Sequence, residues 1–369
     1  MGQQLAGGWI ETVSTYSLEL LTVGIVLTYI WSLGVLLPGE RTQVRIWLFV
    51  LVVSGLALRL VALREFPPGM IEDEPKDLAA ALDTLKDKRV YAARGSGLPL
   101  LPQTLFEGQL VPVLGPNRES MRIYSAVTGA FAAPVAYALA RALAFSVSAS
   151  LVYACLVVTL PWSLYYGRVS VGGELIFHQL LLLAALARLV FASGGWREAL
   201  VAAFGQILLF YDYFAGRLFV PFSMLAAVIA PRRRRFFIVV ALLVAIAAWV
   251  PYILSSPNHL WAPSNEQPNL DPSGLLAGGL VVLKSFVWPL ALDTWFSVRS
   301  AAVHPLVVVL AACIGGVTVL ARPRLASFLW GGFLLGIAPA VGTYASTRRM
   351  IMGYPFLGLM AVYALDRLP

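Results

Sequence analysis

Long apolar runs alternate with short basic turns along almost the whole chain. The runs lie at 17–38, 46–63, 120–142, 147–165, 174–194, 198–213, 216–230, 236–254, 303–321, 325–342 and 350–365. Most of them approach the length of about 20 residues that an α-helix needs to cross about 30 Å of hydrocarbon. The pattern therefore predicts an all-α, polytopic membrane protein with about eleven transmembrane helices.

The turns between these runs predict how the protein is oriented. Basic residues occur in every second turn, at Arg41, Arg45, Arg141, Arg197, Arg232 to Arg235, Arg322, Arg324 and Arg367. Short loops rich in lysine and arginine tend to remain on the cytoplasmic side. We therefore expect a protein integral to the plasma membrane, the inner membrane of a bacterium, with its N-terminus outside and its C-terminus in the cytoplasm.

Two longer segments, at about 64–119 and 255–302, then fall on the outer side. The stretch IEDEPKDLAAALDTLKDKRV places leucines at helical spacing, so we expect a juxtamembrane helix along the bilayer surface. LPLLPQTLFEGQLVPVLG is too short and too interrupted by proline to span, and GLLAGGLVVLKSFVWPL favours a further surface helix. Residues 1–45 form an additional N-terminal transmembrane helix with its cytoplasmic turn, and 46–369 form the transmembrane core.

The amino-acid composition limits the classes of protein to which the chain can belong. Hydrophobic residues make up 59% of the chain and charged residues 12%, about half the charged share of a soluble domain. The net charge of +8 lies at the ends of apolar runs, not on a polar face, which argues against nucleic-acid binding. Cys155 and Cys313 lie within apolar runs and are expected to be buried. The three histidines are far apart in the sequence, so we predict no cofactor and no metal site. A divalent metal ion stays as an alternative to this prediction.

Acidic residues crowd into the first outer segment. Asp83 and Asp87 are typical of a solvated helix face. Glu72, Asp73 and Glu74 are adjacent, and such crowding raises the proton affinity of at least one carboxylate. A carboxylate of this kind suits general-base chemistry.

Arginines and aromatic residues gather at the predicted outer ends of the runs. The arginines are Arg122, Arg168, Arg217, Arg348 and Arg349. The acidic residue Glu174 is also near a predicted outer end of a run. Two interpretations stay open for the arginines: side chains that reach the interface, or guanidinium groups that bind a lipid phosphate. Tyr166, Tyr211 and Tyr213 likewise fit either an aromatic belt or a platform for a sugar.

Five stretches carry a resemblance to a known family, in the order in which that family has them. They are ALRLVALREFPPGMIEDEPKDLAAAL, RIYSAVTGAFAAPVAYALARAL, PWSLYYGRVSVGGELIFHQLLLLAAL, FYDYFAGRLFVPFSMLAAV and STRRMIMGYPFLGLMAVYAL. Together they resemble the glycosyltransferase C superfamily, in its protein-mannosyltransferase and aminoarabinose-transferase-like branch (glycosyltransferase family 39-like). The resemblance covers about residues 46–365.

The resemblance implies an inverting glycosyltransferase that takes a sugar from a polyprenyl-phosphate donor at the outer membrane face. Asp73 matches the residue that acts as catalytic base or positions the acceptor, with Glu74 as its neighbour. Glu174 matches the acidic residue of the second outer loop. The five outer arginines are the candidates for holding the donor phosphate. The sequence identifies neither the sugar nor the acceptor.

Several features depart from the family pattern. An extra helix precedes the usual first span, the chain is shorter than typical members, and Pro75 directly follows the Asp-Glu pair. These departures leave a second hypothesis, a non-catalytic or divergent subunit of a larger membrane complex that binds lipids and partner helices. A transporter is the weaker third reading, because the sequence has no internal repeat.

Overall fold

A computed structural model describes residues 2–65, 74–75, 78–79, 81–82, 101–170, 172–255, 271–287, 305–342 and 350–367. Within these ranges the regular structure is helical throughout, with fourteen α-helices of defined bounds, two short 3-10 helices and further helical residues between 74 and 82. The first seven α-helices are α1 (Gly2–Leu36), α2 (Thr42–Leu60), α3 (Leu101–Leu114), α4 (Arg118–Ala142), α5 (Val147–Thr159), α6 (Pro161–Tyr166) and α7 (Gly173–Phe191). The others are α8 (Trp196–Asp212), α9 (Phe219–Ile229), α10 (Arg232–Ser255), α11 (Pro272–Val287), α12 (Leu306–Thr318), α13 (Pro323–Gly342) and α14 (Tyr354–Arg367). The 3-10 helices are Phe214–Leu218 and Val319–Ala321.

Each predicted apolar run coincides with one helix or with two consecutive helices. Five helices, α1, α2, α4, α7 and α13, are long and apolar enough to cross a membrane, and three shorter apolar segments accompany them. This confirms an all-α, polytopic integral membrane protein. The number of eleven crossings stays a prediction.

Helices α4 and α7 form the centre of the bundle. In their apolar stretches 83% and 89% of the residues are buried, against 22% in α1 and α2. The two central helices pack along each other, α2, α3 and α5 pack on α4, and α8 packs on α7. Gly173 permits this approach, because a Cβ atom there would collide with the carbonyl oxygen of Ser125. Small residues at a crossing let two membrane helices come close.

The two ends of α7 carry different chemistry. Glu174 lies in its first turn, whereas the guanidinium of Arg234 donates a hydrogen bond to the carbonyl of Leu189 near its last turn, at 3.5 Å. The arginine cluster that opens α10 is therefore at the opposite end of α7 from Glu174. The turn after α1 and the end of α4 also meet, since Tyr137 donates to Glu40 at 3.0 Å.

Three details refine the predicted arrangement. The proline-interrupted segment forms α3, which packs against α1, α4 and α8 inside the bundle. In the first outer segment, the described residues between 74 and 82 are all helical, as the amphipathic pattern predicts. The expectation that both cysteines are buried is wrong. Cys155 and Cys313 are exposed on the bundle surface, where a bilayer can supply the apolar surroundings that the sequence pattern indicates.

Candidate functional site

Glu74 and Arg122 form a buried ion pair. The Nε and Nη2 atoms of Arg122 donate to the two carboxylate oxygens of Glu74 at 2.8 and 2.9 Å, and both side chains are at most 1% exposed. This two-point geometry is the strongest that an arginine and a carboxylate adopt. The backbone N–H of Ser170 also donates to Glu74, at 3.3 Å. The pair thus joins the first outer segment, α4 and the turn that precedes α7.

Arginine side chains also bind the carbonyl end of α2. Arg168 donates to the carbonyls of Leu58 and Val61, both at 2.6 Å, and Arg122 donates to that of Leu63 at 3.0 Å. The last carbonyls of a helix have no partner within it and carry partial negative charge, so cations are favoured there. Burial, and then the guanidinium of Arg122, lower the pKa of Arg168. Arg122 and Arg168, two of the arginines predicted to bind the donor phosphate, therefore donate hydrogen bonds to backbone carbonyls of the protein itself.

Glu174 is fixed at the start of α7. Its carboxylate accepts from the Ser125 hydroxyl at 2.7 Å and from the Gly172 N–H at 3.0 Å, and the residue is 1% exposed. The first turn of a helix favours negative charge. Ser125 lies one turn from Arg122 on α4, so both carboxylates attach to the same stretch of that helix. We call Glu74, Arg122, Arg168 and Glu174 the ionic cluster.

Arg217 lies in the 3-10 helix after α8. Its guanidinium carbon sits 4.7 Å from the centroid of the Phe210 ring, within the range of a cation–π contact. Tyr211 packs edge-on against Phe210 and donates to the carbonyl of Ala248 at 2.8 Å.

The three tyrosines proposed as a sugar platform are all buried. Tyr166, Tyr211 and Tyr213 are 1%, 3% and 6% exposed. Tyr166 packs edge-on against Tyr165. Their role as a platform stays a prediction. Asp73, Arg348 and Arg349 lie outside the residues that the structure describes.

A hydrogen-bonded chain that the sequence did not reveal runs through four helices next to Glu174. Asp212 at the end of α8 is bonded to Nδ1 of His178 on α7, and Nε2 of His178 lies 2.5 Å from the hydroxyl of Tyr29 on α1. That hydroxyl lies 2.8 Å from the hydroxyl of Tyr124 on α4. In the sequence, His178 and Asp212 stand out only as isolated ionisable residues within apolar runs. Such residues at membrane depth usually have a function, and this is the feature that could have identified them.

Another buried arginine lies in the last turn of α2 itself. Arg59 is fully buried and donates to the hydroxyl of Ser163 at 2.9 Å. It lies against Gly129 and Gly167, where a Cβ atom at position 167 would collide with its Nε. Glycine at that position therefore makes the space for the guanidinium.

An apolar cavity of about 380 Å³ lies between α1, α3 and α4. Tyr29, Tyr124 and Phe177 form its inner wall, while Val26 and Ile30 at its edge are exposed. No cluster of three or more potential metal ligands occurs among the described residues.

Comparison with known proteins bears on the fold. No protein-family model matches the sequence, and no protein with a curated description matches it. The crystal structure of ArnT from Cupriavidus metallidurans bound to undecaprenyl phosphate is similar, with a TM-score of 0.56 and 12% sequence identity. The match covers 88% of this chain and 60% of ArnT, so the chain spans about three fifths of that protein's length. The predicted resemblance is therefore confirmed at the level of the fold, which is similar to that of ArnT.

Proposed function

We propose that the protein is a membrane glycosyltransferase that moves a sugar from a polyprenyl-phosphate donor to an acceptor at the outer membrane face, with inversion. The observation that carries this proposal is the ionic cluster, which gathers carboxylates and guanidinium groups from distant parts of the chain at one end of a glycosyltransferase C-like bundle. The undecaprenyl phosphate bound to ArnT supports the choice of lipid.

The reaction needs a base and a cation together. The acceptor hydroxyl attacks the anomeric carbon, the bond from that carbon to the phosphate oxygen breaks, and its electron pair leaves with the lipid phosphate. A carboxylate takes the acceptor's proton. Guanidinium groups stabilise the negative charge that develops on the leaving phosphate.

The three candidate carboxylates receive different roles in this proposal. Asp73 is the catalytic base. Glu74 is held by Arg122, so it positions the segment that carries Asp73. Glu174, held by Ser125 and Gly172, is the second acidic group of the proposed site.

The arginines divide in the same way. Arg217, Arg348 and Arg349 bind the donor phosphate. Arg122 and Arg168 contribute positive charge from their positions at the end of α2. Tyr166, Tyr211 and Tyr213 shape the surroundings of the sugar, and membrane lipids surround the bundle.

The proposed orientation places this site on the outer side of the plasma membrane. The N-terminus is outside and the C-terminus is cytoplasmic, in line with the arginine cluster at the opposite end of α7 from Glu174. The donor then approaches from the outer leaflet.

The first test is Asp73→Asn in membranes that contain the native acceptor, supplied with undecaprenyl-phosphate sugars. We expect transfer, measured as release of undecaprenyl phosphate, to fall by about 10²- to 10⁴-fold, the usual contribution of a general base. Binding of undecaprenyl phosphate itself should be unchanged, because Asp73 acts on the acceptor.

Glu119→Gln is the matched control. Its carboxylate lies on the same side of the bundle in a partly exposed pair with Arg64, 3.9 Å apart, and its removal should leave transfer unchanged. Wild-type rates in Asp73→Asn would sink the role of Asp73 as base.

One observation favours the alternative of a non-catalytic subunit. Glu74 and Arg122 are almost completely buried against each other, a closed arrangement that suits a structural bond. Stable co-purification with a larger membrane complex, together with no turnover of any lipid-linked sugar, would favour this alternative.

A further inference from the structure

The carboxylate of Asp212 ends the buried chain, and only one of its two oxygens is bonded to a described residue. Its Oδ2 atom is bonded to His178, whereas Oδ1 is buried and has no hydrogen-bond partner among the residues that the structure describes. Asp212 is 2% exposed. A buried acceptor without a donor costs free energy, so such an atom in a native protein calls for a partner.

The surroundings show what kind of partner fits. His178, which bonds Asp212, lies one turn after Glu174 on the same face of α7, so both acidic residues belong to one side of that helix. A buried carboxylate oxygen without a donor favours a group that donates a hydrogen bond, and a neutral hydroxyl can enter without adding charge.

The other three side chains of the buried chain fix the direction of Asp212. With Asp212 ionised, Nδ1 of His178 carries the proton that it donates, and Nε2 accepts from Tyr29. Tyr29 in turn accepts from Tyr124 at 2.8 Å. The ring of Tyr29 also packs edge-on against Phe177, with centroids 5.0 Å apart. Oδ2 of Asp212 is therefore bonded within the protein, and Oδ1 is the atom that can accept a hydrogen bond from a ligand.

Asp212 and Glu174 both lie at helix ends. Asp212 is the last residue of α8 and Glu174 is in the first turn of α7. Arg217, proposed to bind the donor phosphate, follows Asp212 by five residues in the 3-10 helix after α8. The sugar linked to that phosphate is therefore the candidate ligand for Oδ1 of Asp212.

We infer that Asp212, oriented by His178 and Tyr29, forms with Glu174 a subsite that binds a hydroxyl group of the transferred sugar. The inference rests on the proposed function and deepens it, since it names what the site recognises in the donor beyond lipid and phosphate. Tyr29 makes the N-terminal helix part of this subsite as a positioning residue.

The test compares lipids with and without a sugar. Full-length protein in lipid nanodiscs is titrated with undecaprenyl phosphate, and with undecaprenyl phosphate linked to glucose, mannose or xylose. We expect wild-type protein to bind at least one sugar lipid more tightly than the bare lipid. Asp212→Asn should remove about ten- to a hundredfold of that preference, the usual effect of losing a hydrogen bond to a charged group. Binding of the bare lipid should not change.

Tyr29→Phe provides an independent variant from another helix. It keeps the ring that packs on Phe177 and removes only the hydroxyl, so the preference should fall by about fivefold. Tyr363→Phe and Asp366→Asn, in the last helix, serve as matched controls and should keep the preference intact.

Each other outcome has a defined meaning. Equal weakening of both lipids by Asp212→Asn, or no weakening, overturns the inference. A wild-type protein that binds every sugar lipid no better than the bare lipid overturns it too, while the lipid part of the proposed function stands. A wild-type protein that binds none of the lipids overturns the proposed function itself.

Discussion

At the scale of single residues, burial changes what the charged side chains can do. Sequence patterns identified Glu74, Arg122, Arg168 and Glu174 as candidates because of their charge and their place near helix ends. Their contacts show that Arg122 and Arg168 bind carbonyls of the α2 end as well as acidic or polar neighbours. An arginine at membrane depth needs such partners, since an isolated charge there is expensive.

The buried ion pair predicts a large effect on stability. Glu74→Gln leaves Arg122 buried without its counter-charge, so the free energy of unfolding should fall by about 3–5 kcal/mol. The measurement is thermal or denaturant unfolding of purified protein in detergent. Glu119→Gln breaks a partly exposed pair and should change the free energy by about 1 kcal/mol or less. Equal effects of the two variants would contradict a structural role for the buried pair.

The contact between Glu74 and Arg122 was not predictable from the sequence. The two residues are 48 positions apart, and nothing in the local pattern indicates that they meet. The charge pattern only predicted that carboxylates and arginines would gather at one end. Asp212 and His178 were missed for a related reason, because each is a single polar residue in an apolar run and their pairing depends on how α7 and α8 pack.

At the scale of helices, hydropathy was an accurate guide to position. Each apolar run became a helix or a helix pair because a bilayer leaves no partner but the chain itself for backbone N–H and C=O groups. The pattern was less informative about α3. Its length and its prolines excluded a full span, whereas its burial against α1, α4 and α8 depends on contacts between distant segments.

The crossing of α4 and α7 can be tested at Gly173. Gly173→Ala places a methyl group against the carbonyl of Ser125, so the free energy of unfolding should fall by about 1–3 kcal/mol through overpacking. Gly34→Ala in α1 is the matched control, because nothing lies within 4 Å of the added atom. That control should be neutral or slightly stabilising, since alanine has the higher helix propensity. A stable Gly173→Ala protein would mean that the two helices are farther apart.

At the scale of the whole molecule, polarity differs between the two ends of the bundle. One end carries the ionic cluster, and the arginines that open α10 lie at the other end of α7. The turns alone predicted this division, because arginines recur in every second one. An active enzyme differs from a subunit in one respect, since a donor and an acceptor must reach Asp73.

Cysteine labelling tests the orientation. In a variant with Cys155 and Cys313 replaced by alanine, Asn117→Cys should react with a membrane-impermeant maleimide in intact cells. Arg233→Cys should react only after the membrane is permeabilised, because its turn is predicted to be cytoplasmic. The opposite pattern of labelling would reverse the proposed topology and place the ionic cluster in the cytoplasm.

The hydrogen bond between Tyr29 and His178 has a consequence for biosynthesis. A ribosome makes Tyr29 149 residues before it makes His178, and Asp212 follows later still. Helix α1 thus enters the bilayer with a phenol whose permanent partners do not yet exist. It can reach its final place only after α7 and α8 have been inserted, so a helix that is made before them completes its packing after them. Insertion and assembly are separate stages for this helix, and a chaperone or insertase that holds α1 in the interval would act on this step.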